Sequence, residues 1–352
     1  MDLAIIASAR FPIAEPFAGG MEMHTFVLAS ELTRRGHHVT VYGAGGDGPF
    51  DVSIMAPLDF VPTVAARQDV STLPEAVMAE HHSYLHAIVQ LAGREHDLVH
   101  VNAVHHLPFA SSALLPCPMV GTLHCPPTAW LESALVISAA GPRPPTLVSV
   151  SAANAASWAP VEISTVIHNG VDLQRWKPGP GGPGAVWTGR IVPEKAPHLA
   201  IDAARMAGVE MRLFGPIHHL AYFDEVIVPR LGRGITYEGH LSLVDVADAV
   251  AHSLVAVVTP AWDEPFGLVV PESLACGTPV AAFARGAMAE LIDEHTGVLV
   301  AAGDVVALGE AITSAAGRDR ATCRQVAVER FSAETMVDAY EATFDAALAR
   351  AA

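Results

Sequence analysis

Two cations and two carboxylates stand in this sequence where a polyphosphate and its neighbouring hydroxyls could be held. Residues Val186-Trp-Thr-Gly-Arg-Ile-Val-Pro-Glu-Lys195 read as a strand running into a Gly189-Arg190 loop, with Lys195 five residues beyond the arginine. Both cations then lie at the carboxyl end of a strand, the end at which α/β sheets bind ligands. Further on, Asp263-Glu-Pro-Phe-Gly-Leu-Val-Val-Pro-Glu272 sets Glu264 and Glu272 eight residues apart around a Phe266-Gly267 turn. Pro271 fits the first position of a short helix and Gly277 its stop, which puts Glu272 in the first turn. The helix start, with backbone amides at Gly267, Leu268 and Val269, favours an anion, and a glutamate there competes with one. The conflict disappears if the carboxylates accept hydrogen bonds from hydroxyls beside the phosphates, as a sugar and a ribose supply. Gly19-Gly20-Met-Glu-Met-His24 is a third place where bare backbone can approach a phosphate, at the start of a helix that ends near Gly36.

Each feature also has a plainer use. Arg190 and Lys195 could be a solvated loop pair, the glutamates could cap a helix, and Gly19-Gly20 could be a tight connection. Lys195 stands out because the chain has 18 Arg and only two Lys, Lys177 and Lys195. An ammonium acts on phosphate as a point charge where a rigid guanidinium fork does not fit.

The elements that must position these residues alternate. Short β-branched runs and amphipathic stretches succeed one another, the pattern of helices on both faces of parallel sheets. One series of strands is expected at Leu3–Ala7, Val39–Tyr42, Leu98–Val101, Met119–Leu123, Leu147–Val150 and Ser164–Ile167. A second is expected at Ala185–Thr188, Met211–Phe214, Ile235–Tyr237, Leu254–Val258, Val280–Phe283 and Val298–Val300. The Gly- and Pro-rich stretch between them sets the expected division: a domain over 1–170, a linker over 171–184 and a second domain over 185–330. A final helix over 331–352, capped by Ser332 and apolar at Met336, Tyr340, Phe344 and Leu348, is expected to pack across both lobes.

Composition narrows the partners. A net charge of −17 excludes a phosphate-backbone binder, and residues 1–170, with six Arg and no Lys, offer no basic face to anionic lipid. Apolar residues make up 51%, yet no run nears the ~20 that a spanning helix needs, so a cytoplasmic, unprocessed chain is expected. Cys117, Cys125, Cys276 and Cys323 are too scattered for a disulfide scaffold and read as packed thiols. The His pairs at 37/38, 81/82, 105/106 and 218/219 lack metal-ligand spacing, and no obligatory metal is predicted. Gly43-Ala-Gly-Gly-Asp-Gly48 matches a dinucleotide-binding pattern, but Pro49 and an extended run follow it where that motif requires a helix.

With these pieces together the chain resembles the family 4 retaining glycosyltransferases, glycosyl transferases group 1. The matching residues are Gly19-Gly20, His124, Asn169-Gly170-Val171-Asp172, Gly189-Arg190 with Lys195, and the Glu264 to Glu272 motif. The resemblance spans nearly the whole chain. It implies an α/β chain of the GT-B fold, with two Rossmann-like α/β/α domains, acceptor domain first and donor domain second, facing each other across a cleft. It implies a hexose moved from a UDP- or GDP-sugar donor to a small soluble acceptor such as a secondary metabolite, with no obligatory cofactor.

By the same resemblance, Arg190 and Lys195 hold the donor diphosphate, assisted by Gly19, Gly20, Gly189 and the segment Phe266, Gly267, Leu268 and Val269. Glu264 takes the donor sugar, Glu272 the ribose, and Gly239-His240-Leu241 the base through its backbone. Asn102, His105 and His124 face the acceptor, with Arg190, Lys195, Glu264 and His124 as the catalytic set; His124 could equally be a satisfied core histidine. The chain departs from the family in Ala196 and Pro197, where a glycine usually follows the lysine, and in Asp263 and Pro265 beside Glu264. A nucleotide-sugar epimerase, a binding-only protein and a dehydrogenase using Gly43–Gly48 remain as alternatives.

Overall fold

The runs of apolar residues that the sequence offers as strands do form strands. In a computed structural model describing residues 1–55, 61–71 and 73–351, they build two parallel sheets. The first contains β1 (Asp2–Ile6), β2 (His38–Gly43), β3 (Asp51–Ile54), β4 (Leu98–Val101), β5 (Met119–Leu123), β6 (Thr146–Ser149) and β7 (Thr165–Val166), in the order β3-β2-β1-β4-β5-β6-β7. The second contains β8 (Ala185–Thr188), β9 (Met211–Phe214), β10 (Ile235–Tyr237), β11 (Val255–Val258), β12 (Val280–Phe283) and β13 (Gly297–Val300), in the order β10-β9-β8-β11-β12-β13. Strands β4, β5, β6 and β12 are buried at every position, as strands covered on both faces must be.

Both orders reverse direction beside the first strand of the sheet, so each has one point where neighbouring strands send their following loops apart. In the first sheet it lies between β1 and β4; in the second, between β8 and β11. That places the loops beginning at Ala7 and Asn102 side by side in one unit, and those beginning at Gly189 and Thr259 side by side in the other.

The chain divides into two compact units that are not consecutive segments. One holds Met1–Ser149, Trp158–Thr165 and the chain from Asp338 onward; the other holds Val150–Ser157 and Val166–Val337. As expected from Pro49 and the extended run after it, strand β3 follows Gly48 and pairs parallel with β2, so the Gly43–Gly48 loop opens no helix. One local detail differs from the sequence reading. The helix after Gly267 begins at Val269, which moves Pro271 from its first position to its third, while Glu272 stays in the first turn and Gly277 ends it with φ +73°. Among the described residues no helix is long and apolar enough to cross a membrane.

Candidate active site

The reversal point of the second sheet is where the predicted charges meet. Lys195 ends a short 3-10 turn (Pro193–Lys195) after β8, and its Nζ is hydrogen-bonded to Glu264 Oε2. Trp262 Nε1 donates to the same oxygen at 3.0 Å, and the ammonium lies 5.7 Å from the Trp262 ring centroid. Glu264 is buried, so its charge is held by these two donors rather than by water. The loops are joined beneath the contact: Thr259 Oγ1 lies 3.0 Å from the carbonyl oxygens of both Lys195 and Ala196, and the Ala261 amide donates to the Glu194 carbonyl at 2.8 Å. The ammonium expected at phosphate and the carboxylate expected at a sugar therefore sit at one point.

The turn carrying Glu264 is fixed from behind. Ser151 Oγ donates to the Pro265 carbonyl at 2.6 Å, and the Ala287 amide donates to the Glu264 carbonyl at 2.9 Å. A Cβ at Gly286 would come within 2.3 Å of both Glu264 N and O, and Gly286 has φ +59°, so only glycine allows this approach. Glu290 accepts from the Ala152 and Ala153 amides at 2.9 and 3.2 Å and pairs with His168 Nε2 at 2.5 Å, which seats the Val150–Ser157 segment. Phe266 faces inward, 5.7 Å from His168 and 6.4 Å from Phe331 by ring centroids, so this residue offers a ligand only its backbone. The amides of Gly267, Leu268 and Val269 have no protein acceptor among the described residues.

Arg190 is held loosely, with Nη2 3.9 Å from Glu194 Oε1 and more than a third of its side chain exposed. Burial first, then the charges of Arg190 and His240, lower the pKa of His218, and His240 is exposed. Gly239 has φ +87° and accepts from the Gly215 amide at 2.9 Å, while Leu241 packs on the core. The Glu272 carboxyl has no hydrogen-bond partner among the described residues, and burial pushes its pKa up to about 8. Ala196 explains the departure after Lys195: it adopts φ +46°, ψ +50°, a left-handed conformation that costs an L-residue about 1 kcal/mol and glycine nothing.

In the first sheet's unit the site residues form a neutral cluster. Asn102, directly after β4, accepts from His124 Nε2 through its Oδ1 and donates through Nδ2 to Thr25 Oγ1 at 2.6 Å. His124 stands 5.0 Å edge-on to His24, and His100 Nε2 lies 2.9 Å from Thr122 Oγ1, itself 3.0 Å from the Tyr340 hydroxyl. Burial holds His124 at about 4 and, with the neighbouring His124, His100 at about 3; His24 is driven well below its ordinary value for the same reasons. Among the described residues neither His24 ring nitrogen has a hydrogen-bond partner. Gly19 precedes the helix Gly20–Arg34, and a side chain there would come 3.2 Å from the buried Glu22 carboxylate. His105 caps the helix His106–Ala110 by accepting from the Leu107 amide at 3.2 Å, with burial lowering it to about 3.

Sequence reasoning missed Trp262, Ser151, Glu290, His24 and Thr25. Trp262 could have been found as an aromatic two residues before Glu264; the others act across 77 to 138 residues of chain and carry no local signal.

Known proteins share this architecture. A family model described as Glycosyltransferase Family 4 matches residues 18–175, and one described as Glycosyl transferases group 1 matches 182–317. The chain is 29% identical to glycogen synthase of Mycobacterium tuberculosis over 91% of its length and 89% of the relative's. It is 27% identical to D-inositol 3-phosphate glycosyltransferase of Mycobacterium marinum, over 98% of this chain and 86% of that one. The crystal structure of Anabaena HepE in complex with UDP-glucose superposes with a TM-score of 0.76 at 18% identity, covering 98% of this chain and 100% of HepE. Two matched models that together span most of the chain, and two Rossmann-like sheets shared with a GT-B structure, lead to one assignment: this chain belongs to family 4 of the glycosyltransferases, the glycosyl transferases group 1, and has the GT-B fold.

Proposed function

We propose that this glycosyltransferase moves a hexosyl group from a UDP-sugar to a soluble small-molecule acceptor, such as a polyol, a sugar or a secondary metabolite, with retention of anomeric configuration. The observation that carries the reading is the Lys195–Glu264–Trp262 contact at the reversal point of the second sheet. A cation and a carboxylate at hydrogen-bond distance suit the junction between a diphosphate and a sugar, where negative charge and hydroxyl groups are adjacent. The relatives that act on an inositol phosphate or make glycogen, and the UDP-glucose carried by the HepE structure, support a sugar donor and a polyhydroxylated acceptor.

In this mechanism Arg190 and Lys195 neutralise the charge growing on the departing diphosphate, aided by the Gly267, Leu268 and Val269 amides. Glu264 accepts from sugar hydroxyls, Glu272 from the ribose, and Gly239 to Leu241 border the base. Asn102, His105 and His124 orient the acceptor. Its hydroxyl attacks on the face the leaving group vacates, and its proton passes to a phosphate oxygen. Two side-chain cations do the work of charge neutralisation, so turnover should survive EDTA.

The test is calorimetric titration with UDP, GDP, ADP and dTDP, followed by NMR of the product formed from UDP-glucose. Selective UDP binding that Glu272→Ala weakens, and an α-linked product, are expected. Equal indifference to all four nucleotides, or a β-linked product, overturns the donor or the stereochemical reading respectively.

A further inference from the structure

Four rings in the first sheet's unit form a continuous row that runs from the core to the surface. Tyr84 stacks on His105 with centroids 4.2 Å apart and planes 19° apart; His105 stacks on His106 at 4.5 Å and 22°; His106 stacks on Trp130 at 5.0 Å and 27°. Tyr84 is buried, while Trp130, at the end of the row, is 69% exposed. The inner end is anchored: the Tyr84 hydroxyl donates to the Ala7 carbonyl at 3.1 Å and accepts from the Ala9 amide at 3.3 Å, in the loop that leaves β1. His105 is fixed by its bond to the Leu107 amide, and His81 braces the row from the side, 6.0 Å from His105 and 5.9 Å from His106.

Packing does not require this arrangement. An indole that only filled space would turn its face to the core, whereas Trp130 lies against one imidazole and leaves most of its surface in water. Its position is also specific. His105 and His106 follow β4 and Trp130 follows β5, two adjacent strands, so the row stands at the carboxyl ends where α/β sheets bind ligands. Asn102 and His124 leave the same two strands. Burial keeps His105 and His106 below their ordinary values, so the row carries no charge at neutral pH.

We propose that Trp130, oriented by the His106-His105-Tyr84 row, is a stacking platform for the acceptor, and that it selects an uncharged molecule with a flat ring face, a pyranose or an aromatic aglycone. The proposal rests on the glycosyltransferase reading above and names the acceptor class for it. A pre-oriented indole loses little freedom when a ring stacks on it, so its contribution goes into affinity. A neutral row gives no advantage to a charged acceptor.

The experiment is saturation-transfer NMR and titration with phenyl β-glucoside and methyl β-glucoside, on wild type, Trp130→Ala and Trp130→Phe, each saturated with UDP. In the wild type, transfer to the ring protons of both glucosides is expected, stronger for the phenyl compound. Trp130→Ala should weaken binding roughly 3- to 10-fold and Trp130→Phe should restore most of it, with the UDP affinity unchanged in both. Glucoside binding that is absent from the wild type, or equal in wild type and Trp130→Ala, overturns the platform. Loss of UDP binding by the wild type overturns the donor reading on which it rests, so the two failures are told apart.

Discussion

The two units share a strand order and differ in what they place at its reversal point. In the second, ionised groups are brought together: Lys195 on Glu264, with Arg190 on the same loop near Glu194, and amides left open at Gly267 to Val269 among the described residues. In the first, the groups around the end of β4 are polar and held neutral, Asn102 between Thr25 and His124 with His24 and His100 lowered by burial, while the nearby charges of Arg10 and Glu80 are paired with each other. One topology therefore accommodates two electrostatic regimes, because the scaffold fixes only where loops emerge and the loop residues decide the chemistry. The charged point suits a polyphosphate; the neutral one suits hydroxyl groups.

The sharpest way to break this contrast is to remove the ammonium. Lys195→Ala should lower kcat with UDP-glucose by ~10²- to 10³-fold, and Lys195→Arg should restore little because the fork cannot replace a point charge. His124→Ala should slow acceptor glycosylation while leaving UDP affinity intact by calorimetry. An equal loss of UDP affinity in both variants would erase the distinction between the regions.

Stability against pH offers the next test, and the two regions pull in opposite directions. His24, His100 and His124 have folded pKa values below their unfolded ones, so the unfolded chain binds protons first as pH falls. Their contribution is complete above pH ~6.5 and is lost on acidification through about 4 for His124 and about 3 for His100. Glu272 has a folded pKa above its unfolded one, so its contribution is complete below pH ~4.5 and is lost as pH rises through about 8. Denaturant melts across pH 4 to 9 should show both limbs. Glu272→Gln should flatten only the alkaline limb and His24→Phe only part of the acid one.

The smallest effect is expected at Ala196. Replacement by glycine removes the left-handed strain but also a buried methyl, and should change stability by no more than about 1 kcal/mol, in the stabilising direction. Urea midpoints at constant m-value measure it. A clear destabilisation would mean that the methyl matters more than the backbone conformation.

Legibility in the sequence followed the range of the interactions. Ala185–Thr188, Met211–Phe214, Ile235–Tyr237 and Val280–Phe283 could be read to the residue because apolar runs between breakers are local signals. The Gly189 to Lys195 loop and the Glu264 to Glu272 turn were legible for the same reason. Their meeting was not, since it depends on β8 and β11 being neighbours, a property of strand order. The Ser151 and Glu290 supports were hidden for a related reason: the sequence suggested one break near residue 170, whereas Val150–Ser157 is bonded to residues more than a hundred positions later. Pro271 was misplaced by two residues because proline is tolerated throughout a first helical turn, where its missing N–H has no partner to lose.

The helix Ala333–Ala351 has a consequence for how the protein is made. Its part from Asp338 onward belongs to the first sheet's unit, where Tyr340 and Phe344 lie 5.1 and 5.4 Å from His100 and Arg35 donates to Asp338 at 2.6 Å. On the ribosome, β1 to β7 are synthesised roughly ten to thirty seconds before that segment exists. Until then the buried imidazoles have no aromatic cover. The first half of the chain to be translated is thus the last to be finished, and a nascent chain arrested before Tyr340 lacks the two rings that pack on His100.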